Sequence, residues 1–139
     1  MEKMPHKFIN HLLLVDDDPL TEVLIDGISG NLHLINRYVF KPGGKQALDY
    51  LSFCNKTSDF PDLIIVDLRM PEMDGFEFIE NYESSFYHTY PETKLVIATN
   101  SMTEQGEVLM DRFPSVKMFI LKPIVKDRFI NIYHSLYSS

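Results

Sequence analysis

Leu63-Ile64-Ile65-Val66 is a block of four consecutive aliphatic residues, introduced by Pro61-Asp62 and closed by Asp67. A run without polar alternation marks a strand covered on both faces, which requires a sheet layered between helices. The remaining chain supplies the other units. Residues 8–15 form a first apolar run ending at Asp16-Asp17-Asp18. A helix is expected over 19–28, with Leu20, Val23, Leu24 and Ile28 at helical spacing. Asp18 caps it, Pro19 occupies its first turn, and Gly27 and Gly30 mark its end. Residues 32–40 are a weaker strand, best at Arg37-Tyr38-Val39-Phe40, and Pro42-Gly43-Gly44 breaks the chain before a helix over 45–53. After Asp67 come a loop through Gly75, a helix carrying Phe76, Ile79 and Tyr82, and a strand Leu95-Val96-Ile97-Ala98 ending at Thr99. A weaker helix through Val108, Leu109 and Arg112, a strand over 116–121 closed by Lys122-Pro123, and a helix with Phe129, Ile132, Tyr133 and Leu136 complete the chain. Five strand–helix units with short connections describe an α/β fold: a doubly wound, five-stranded parallel sheet with five helices.

The 139 residues suit one domain, expected over 8–137 with 1–7 as an N-terminal extension. With 20 acidic against 13 basic residues the net charge is −7, which argues against a nucleic-acid surface, since phosphate contacts need clustered cations. The longest aliphatic run, Leu12-Leu13-Leu14-Val15, is too short to span a membrane, and the first seven residues lack a secretory apolar core. Cys54 alone allows no internal disulfide. A cytoplasmic protein is expected.

In open parallel sheets function collects at the carboxyl ends of the strands. Those ends hold Asp16 and Asp17, then Asp67, Thr99 and Lys122. Three carboxylates brought together call for a cation. With oxygen ligands and neither histidine nor cysteine nearby, that cation is Mg²⁺ rather than zinc. Mg²⁺ that keeps waters and takes phosphate oxygens makes phosphoryl chemistry its natural companion. The turn after the first strand lacks the glycines of a dinucleotide site, and its aspartates would repel a pyrophosphate. No phosphate-binding Gly-x-x-x-x-Gly-Lys-Ser/Thr loop is present. A haloacid-dehalogenase-type phosphatase would carry an aspartate where Arg69 stands.

The segments Leu13-Leu14-Val15-Asp16-Asp17-Asp18-Pro19, Asp62 to Gly75, Ala98-Thr99 and Lys122-Pro123 together resemble the receiver domain of two-component response regulators. The resemblance implies the flavodoxin-like strand order 2-1-3-4-5 and a stand-alone, chemotaxis-regulator-like receiver without an output domain. It implies that Asp67 accepts a phosphoryl group from a histidine kinase or histidine phosphotransfer protein. Asp17, Asp67 and the backbone carbonyl of Arg69 would hold Mg²⁺, with Asp16 acting through a water. Lys122 would pair with the acceptor and then with a phosphoryl oxygen, and Thr99 would donate its hydroxyl. Thr99 and Phe119 would form the switch, and the Lys122–Pro123 bond would be cis. Such a receiver is a signalling phosphoacceptor rather than an enzyme with a separate substrate. It would answer to an unnamed downstream protein, docking through its fourth helix, fifth strand and fifth helix, about residues 102–137. Two other readings stand beside this one: an unphosphorylated scaffold of the same fold, and a Mg²⁺-dependent phosphatase.

Other residues read more plainly. Asp18 and Asp74 are expected as helix caps. The five histidines show no ligand spacing and are expected at the surface or in packing, as are Phe53, Phe60, Phe86 and Tyr87. The tyrosine-rich stretch 82–90 is also a candidate partner surface. Asn100 after Thr99, and Arg69 two residues past the acceptor, would each change the lifetime of the phosphoryl group.

Overall fold

The computed structural model describes residues 8–100 and 110–137. Five parallel strands, β1 (Leu12–Val15), β2 (Tyr38–Lys41), β3 (Leu63–Asp67), β4 (Lys94–Thr99) and β5 (Val116–Leu121), lie in the order β2-β1-β3-β4-β5. The crossovers carry α1 (Pro19–Leu32), α2 (Gly44–Thr57) and α3 (Gly75–Tyr82), and a C-terminal helix (Lys126–Tyr137) follows β5. Residues 110–112 are also helical, giving five helical segments among the described residues. The expected helix positions Val108 and Leu109, the extension 1–7 and the start of the expected docking face lie outside the described residues.

Alternation along the central strands explains the layers. Leu13, Val15, Ile64, Val66, Leu95 and Ile97 face one way and pack against Ala47 and Leu51 of α2 and Phe78, Ile79 and Tyr82 of α3. Leu12, Leu14, Leu63, Ile65, Val96 and Ala98 face the other way, against Ile25 and Ile28 of α1 and Phe129, Ile132 and Tyr133 of the C-terminal helix. Both faces of β1 and β3 are therefore apolar, which is why their sequences show no polar alternation.

Helix ends depart from the sequence reading. α1 runs through Gly27 and Gly30 to Leu32 and stops at His33 in the left-handed region, φ 55°. Each glycine costs a helix about 1 kcal/mol, but Ile28 is buried and Leu32 packs against the same core, so burial carries the helix past both. α2 likewise extends to Thr57, because Cys54 continues the buried stripe begun by Ala47 and Leu51. Both aspartate caps are present: Asp18 accepts from the Leu20 N–H at 3.0 Å and Asp74 from the Glu77 N–H at 2.9 Å.

The tyrosine-rich stretch contributes to packing, with Tyr82 and Phe86 buried and Tyr87 and Tyr90 half-buried. α3 continues into a π-helical turn, Glu83–Tyr87, which points Phe86 into the core. Tyr82 is fully buried, the Tyr87 hydroxyl donates to Pro114 O, and the Tyr90 ring stacks on Phe60 at 3.8 Å. Phe53 is the reverse case: expected in packing, it is 61 % exposed on α2.

His11 is neither a surface residue nor simple filler. It is buried at the amino-terminal edge of the sheet, with Nε2 2.6 Å from the Tyr50 hydroxyl and Nδ1 3.2 Å from Arg37 Nη2, whose guanidinium also pairs with Asp59. Asp62 accepts from the backbone N–H groups of Asn10 and His11 at 3.0 Å each. Burial first, then the Arg37 charge, hold the imidazole below its ordinary pKa despite Asp59 and Asp62.

Phe129 and Phe53 test this layering. Phe129→Ala should cost about 3–5 kcal/mol, the usual range for emptying a core aromatic site, whereas Phe53→Ala should stay within about 0.5 kcal/mol. Urea-unfolding midpoints of the two variants check the contrast.

Candidate functional site

Parallel pairing aligns the strand ends. Val15 is in register with Val66, Asp67 with Ala98, and Thr99 with Leu121. The next residues out are Asp16 beside Asp67, and Lys122 beyond Thr99. A register shift between Leu95 and Val96 in the β4–β5 pair sets this last alignment. The Lys122 backbone N–H then donates to Thr99 O at 2.8 Å.

The side chains converge. Lys122 Nζ lies 2.9 Å from Asp16 Oδ2 and 3.4 Å from Asp67 Oδ2, and the three side chains are only 6 %, 2 % and 7 % exposed. The other Asp16 oxygen accepts from the Asp18 N–H at 2.9 Å, and Asp67 Oδ1 accepts from the Arg69 N–H at 3.4 Å. Asp17 is exposed at the rim. One carboxylate oxygen from each of Asp16, Asp17 and Asp67 lies within 4.8 Å of the other two. Thr99 is buried at the end of β4, and Phe119, paired with Ile97, is half-buried against the α2–α3 side of the core. Arg69 and Asn100 are exposed beside the cluster, and the Lys122–Pro123 bond is cis.

Burial, then the neighbouring Asp16 charge, push the Asp67 carboxyl up to about 6, against the opposing pull of Lys122 and the Arg69 N–H. Burial alone would lower Lys122, but the hydrogen bond and charge of Asp16, together with Asp67, raise it. Asp16 and Asp67 share one ammonium and Asp17 adds a third carboxylate at the rim, so the cluster is short of positive charge. Its donors are all hard oxygens, the set that suits Mg²⁺ rather than a soft metal.

Gly75 was legible only as a turn residue. A Cβ there would meet Asp67 O at 2.7 Å and Leu68 Cα at 2.8 Å, both backbone atoms. The Gly75 N–H also donates to Leu68 O at 2.9 Å. The start of α3 thus seats directly on the end of β3, and only glycine allows that approach. The loop between them turns sharply: the Met73 N–H reaches Pro71 O at 2.8 Å across Glu72, whose φ is 70°. Glycine immediately after an aspartate cap was the available signal.

The family description "Response regulator receiver domain" matches residues 12–134. The chain belongs to that family. Phosphoryl acceptance on an aspartate is general to receiver domains, which are signalling modules and typically bind Mg²⁺ in an acidic pocket. A two-component response regulator from Cytophaga hutchinsonii superposes with a TM-score of 0.85 at 20 % identity, covering 96 % of this chain and all of that one, which shows the fold. The bacteriophytochrome response regulator AtBRR is 28 % identical with a TM-score of 0.73, covering 94 % of this chain and 93 % of its own. A protein-glutamate methylesterase/protein-glutamine glutaminase from Trichodesmium erythraeum is 31 % identical over 97 residues, covering 70 % of this chain but 25 % of that protein. No helix among the described residues is long and apolar enough to cross a membrane.

The raised Asp67 pKa makes a stability prediction for the metal-free protein. A carboxyl held near 6 when folded and near 3.8 when unfolded favours the folded state fully below pH 3.8. That contribution is lost as pH rises through about 6. Asp67→Asn should therefore unfold at higher urea than the parent at pH 7.5 in chelator, by up to ~3 kcal/mol. The difference should shrink toward pH 4.

Proposed function

We propose that residues 8–137 act as one receiver that accepts a phosphoryl group on Asp67 from the phosphohistidine of a kinase or phosphotransfer protein. The carrying observation is the buried Lys122 ammonium between Asp16 and Asp67 at the strand ends. In this reading an Asp67 oxygen attacks phosphorus, the P–N bond to the imidazole breaks, and the imidazole leaves as a P–O bond forms. With a pKa of about 6 the carboxyl is mostly ionised at neutral pH and available as a nucleophile.

Lys122 is placed to follow the charge. Its ammonium donates to Asp67 Oδ2 before transfer and can turn to a phosphoryl oxygen as negative charge collects there. The Thr99 hydroxyl would donate to the same group, and Phe119 would repack behind it. Asp17, Asp67 and the Arg69 backbone carbonyl would hold Mg²⁺, with Asp16 acting through a water. When bound, the ion supplies the divalent charge that the three carboxylates lack. The product carries roughly −1.5 to −2 charge, enough to bias a two-state surface toward a form read by a downstream protein.

Incubation with Mg²⁺ and acetyl phosphate, followed by intact-mass spectrometry, tests the assignment. The protein should gain one phosphoryl group, the gain should disappear with chelator or in Asp67→Asn, and Lys122→Met should slow it roughly 100-fold. Normal uptake by Asp67→Asn would place the acceptor elsewhere.

A further inference from the structure

Lys122 sits on a flexible four-carbon stem, so what aims it is the backbone from which it springs. That backbone is gripped on both sides. The Lys122 N–H donates to Thr99 O at 2.8 Å. From the C-terminal helix, one guanidinium nitrogen of Arg128, Nη1, donates to Leu121 O at 2.8 Å and to Pro123 O at 3.3 Å, the carbonyls on either side of Lys122. Arg128 is half-buried, and no carboxylate among the described residues pairs with it. Its neighbour Phe129 is fully buried between the C-terminal helix and the sheet, and the Phe129 N–H donates to Val125 O at 3.0 Å. The guanidinium is therefore carried by a helix turn that cannot drift from the core. Arg128 stands in no motif, and spacing alone gives it no reason to matter.

We propose that Arg128 is a positioning residue for phosphoryl transfer: by clamping the Leu121 and Pro123 carbonyls it fixes the root of Lys122 so that the ammonium reaches both Asp16 and Asp67. The inference rests on the reading of Asp67 as acceptor and Lys122 as its partner. A guanidinium suits the task, because Nη1 alone carries two N–H groups and can serve both carbonyls, and the planar group loses little freedom per bond formed. Removing it leaves Lys122 present and charged but loosely aimed, and a misplacement on the order of 1 Å is enough to slow a positioned step by up to two orders of magnitude.

A double-mutant cycle on the rate of phosphoryl uptake from acetyl phosphate with Mg²⁺ tests this, with Asp67→Asn as control. Arg128→Met should slow uptake about 10-fold in the parent. In the Lys122→Met background the same change should have no further effect, because the group it aims is gone. Amide hydrogen exchange in the metal-free protein gives a second readout: the Lys122 N–H should exchange faster in Arg128→Met while the amides of β1 and β3 keep their protection. Arg128→Lys retains a donor and should recover part of the rate, and it serves if the methionine variant unfolds. Equal slowing with and without Lys122 would make Arg128 a residue of general stability and overturn the proposal, as would an unchanged rate in the Arg128→Met parent. Uptake that survives Asp67→Asn would instead overturn the acceptor assignment itself.

Discussion

Three carboxylates that each bring one oxygen within 4.8 Å of the other two, two of them on buried side chains, cannot all hold their charge without a cation among them. Among the described residues that cation is Lys122, and the strand ends are arranged to deliver it. β1 brings Asp16, β3 brings Asp67, and β5 reaches across β4 to bring the lysine. The lysine is closer to Asp16 than to Asp67, and burial, then the Asp16 charge, push the Asp67 carboxyl up. The residual imbalance therefore falls on the group proposed to react. A nucleophile left short of compensation is less stable and more ready to take a partner, whether a divalent ion or phosphorus.

The surrounding fold reads as support for that imbalance. Seating α3 on the end of β3 through Gly75 leaves the Asp67 side chain at the mouth of the sheet while its backbone is held below. The Asp18 N–H holds one oxygen of Asp16, leaving the other for Lys122. At the opposite edge of the sheet the network of His11, Arg37, Tyr50 and Asp59 joins β1 to the start of β2, to α2 and to the loop before β3. The two polar clusters lie at opposite ends of β1 with an apolar strand between them, so each can be tuned without disturbing the other's partners.

Much of this was written in local patterns. Unbroken aliphatic runs gave the buried strands, Asp18-Pro19 and Asp74-Gly75 gave helix starts, and polar residues at the ends of those runs gave the cluster. What stayed illegible depends on tertiary contacts. Gly27 and Gly30 look like a helix terminus until Ile28 and Leu32 are seen against the core. The aromatic stretch after α3 looks like an open surface until a π-helical turn rotates Phe86 inward. His11 carries no signal of its own because its partners are 26, 39 and 48 residues away along the chain. A backbone clash at Gly75 is likewise visible only once β3 and α3 are placed.

The same logic separates the residues proposed to make chemistry from the one proposed to aim it. Asp16, Asp67 and Lys122 announce themselves because each closes an apolar run that forms a strand of the sheet. Arg128 acts through carbonyl groups, which every residue possesses, so its partners leave no trace in residue identity. A clamp of this kind can be gained or lost by one substitution on a helix surface without altering a single motif residue. Receivers sharing the same acidic cluster can therefore differ in how firmly their lysine is held, and the residues responsible are found by following backbone hydrogen bonds outward from the site.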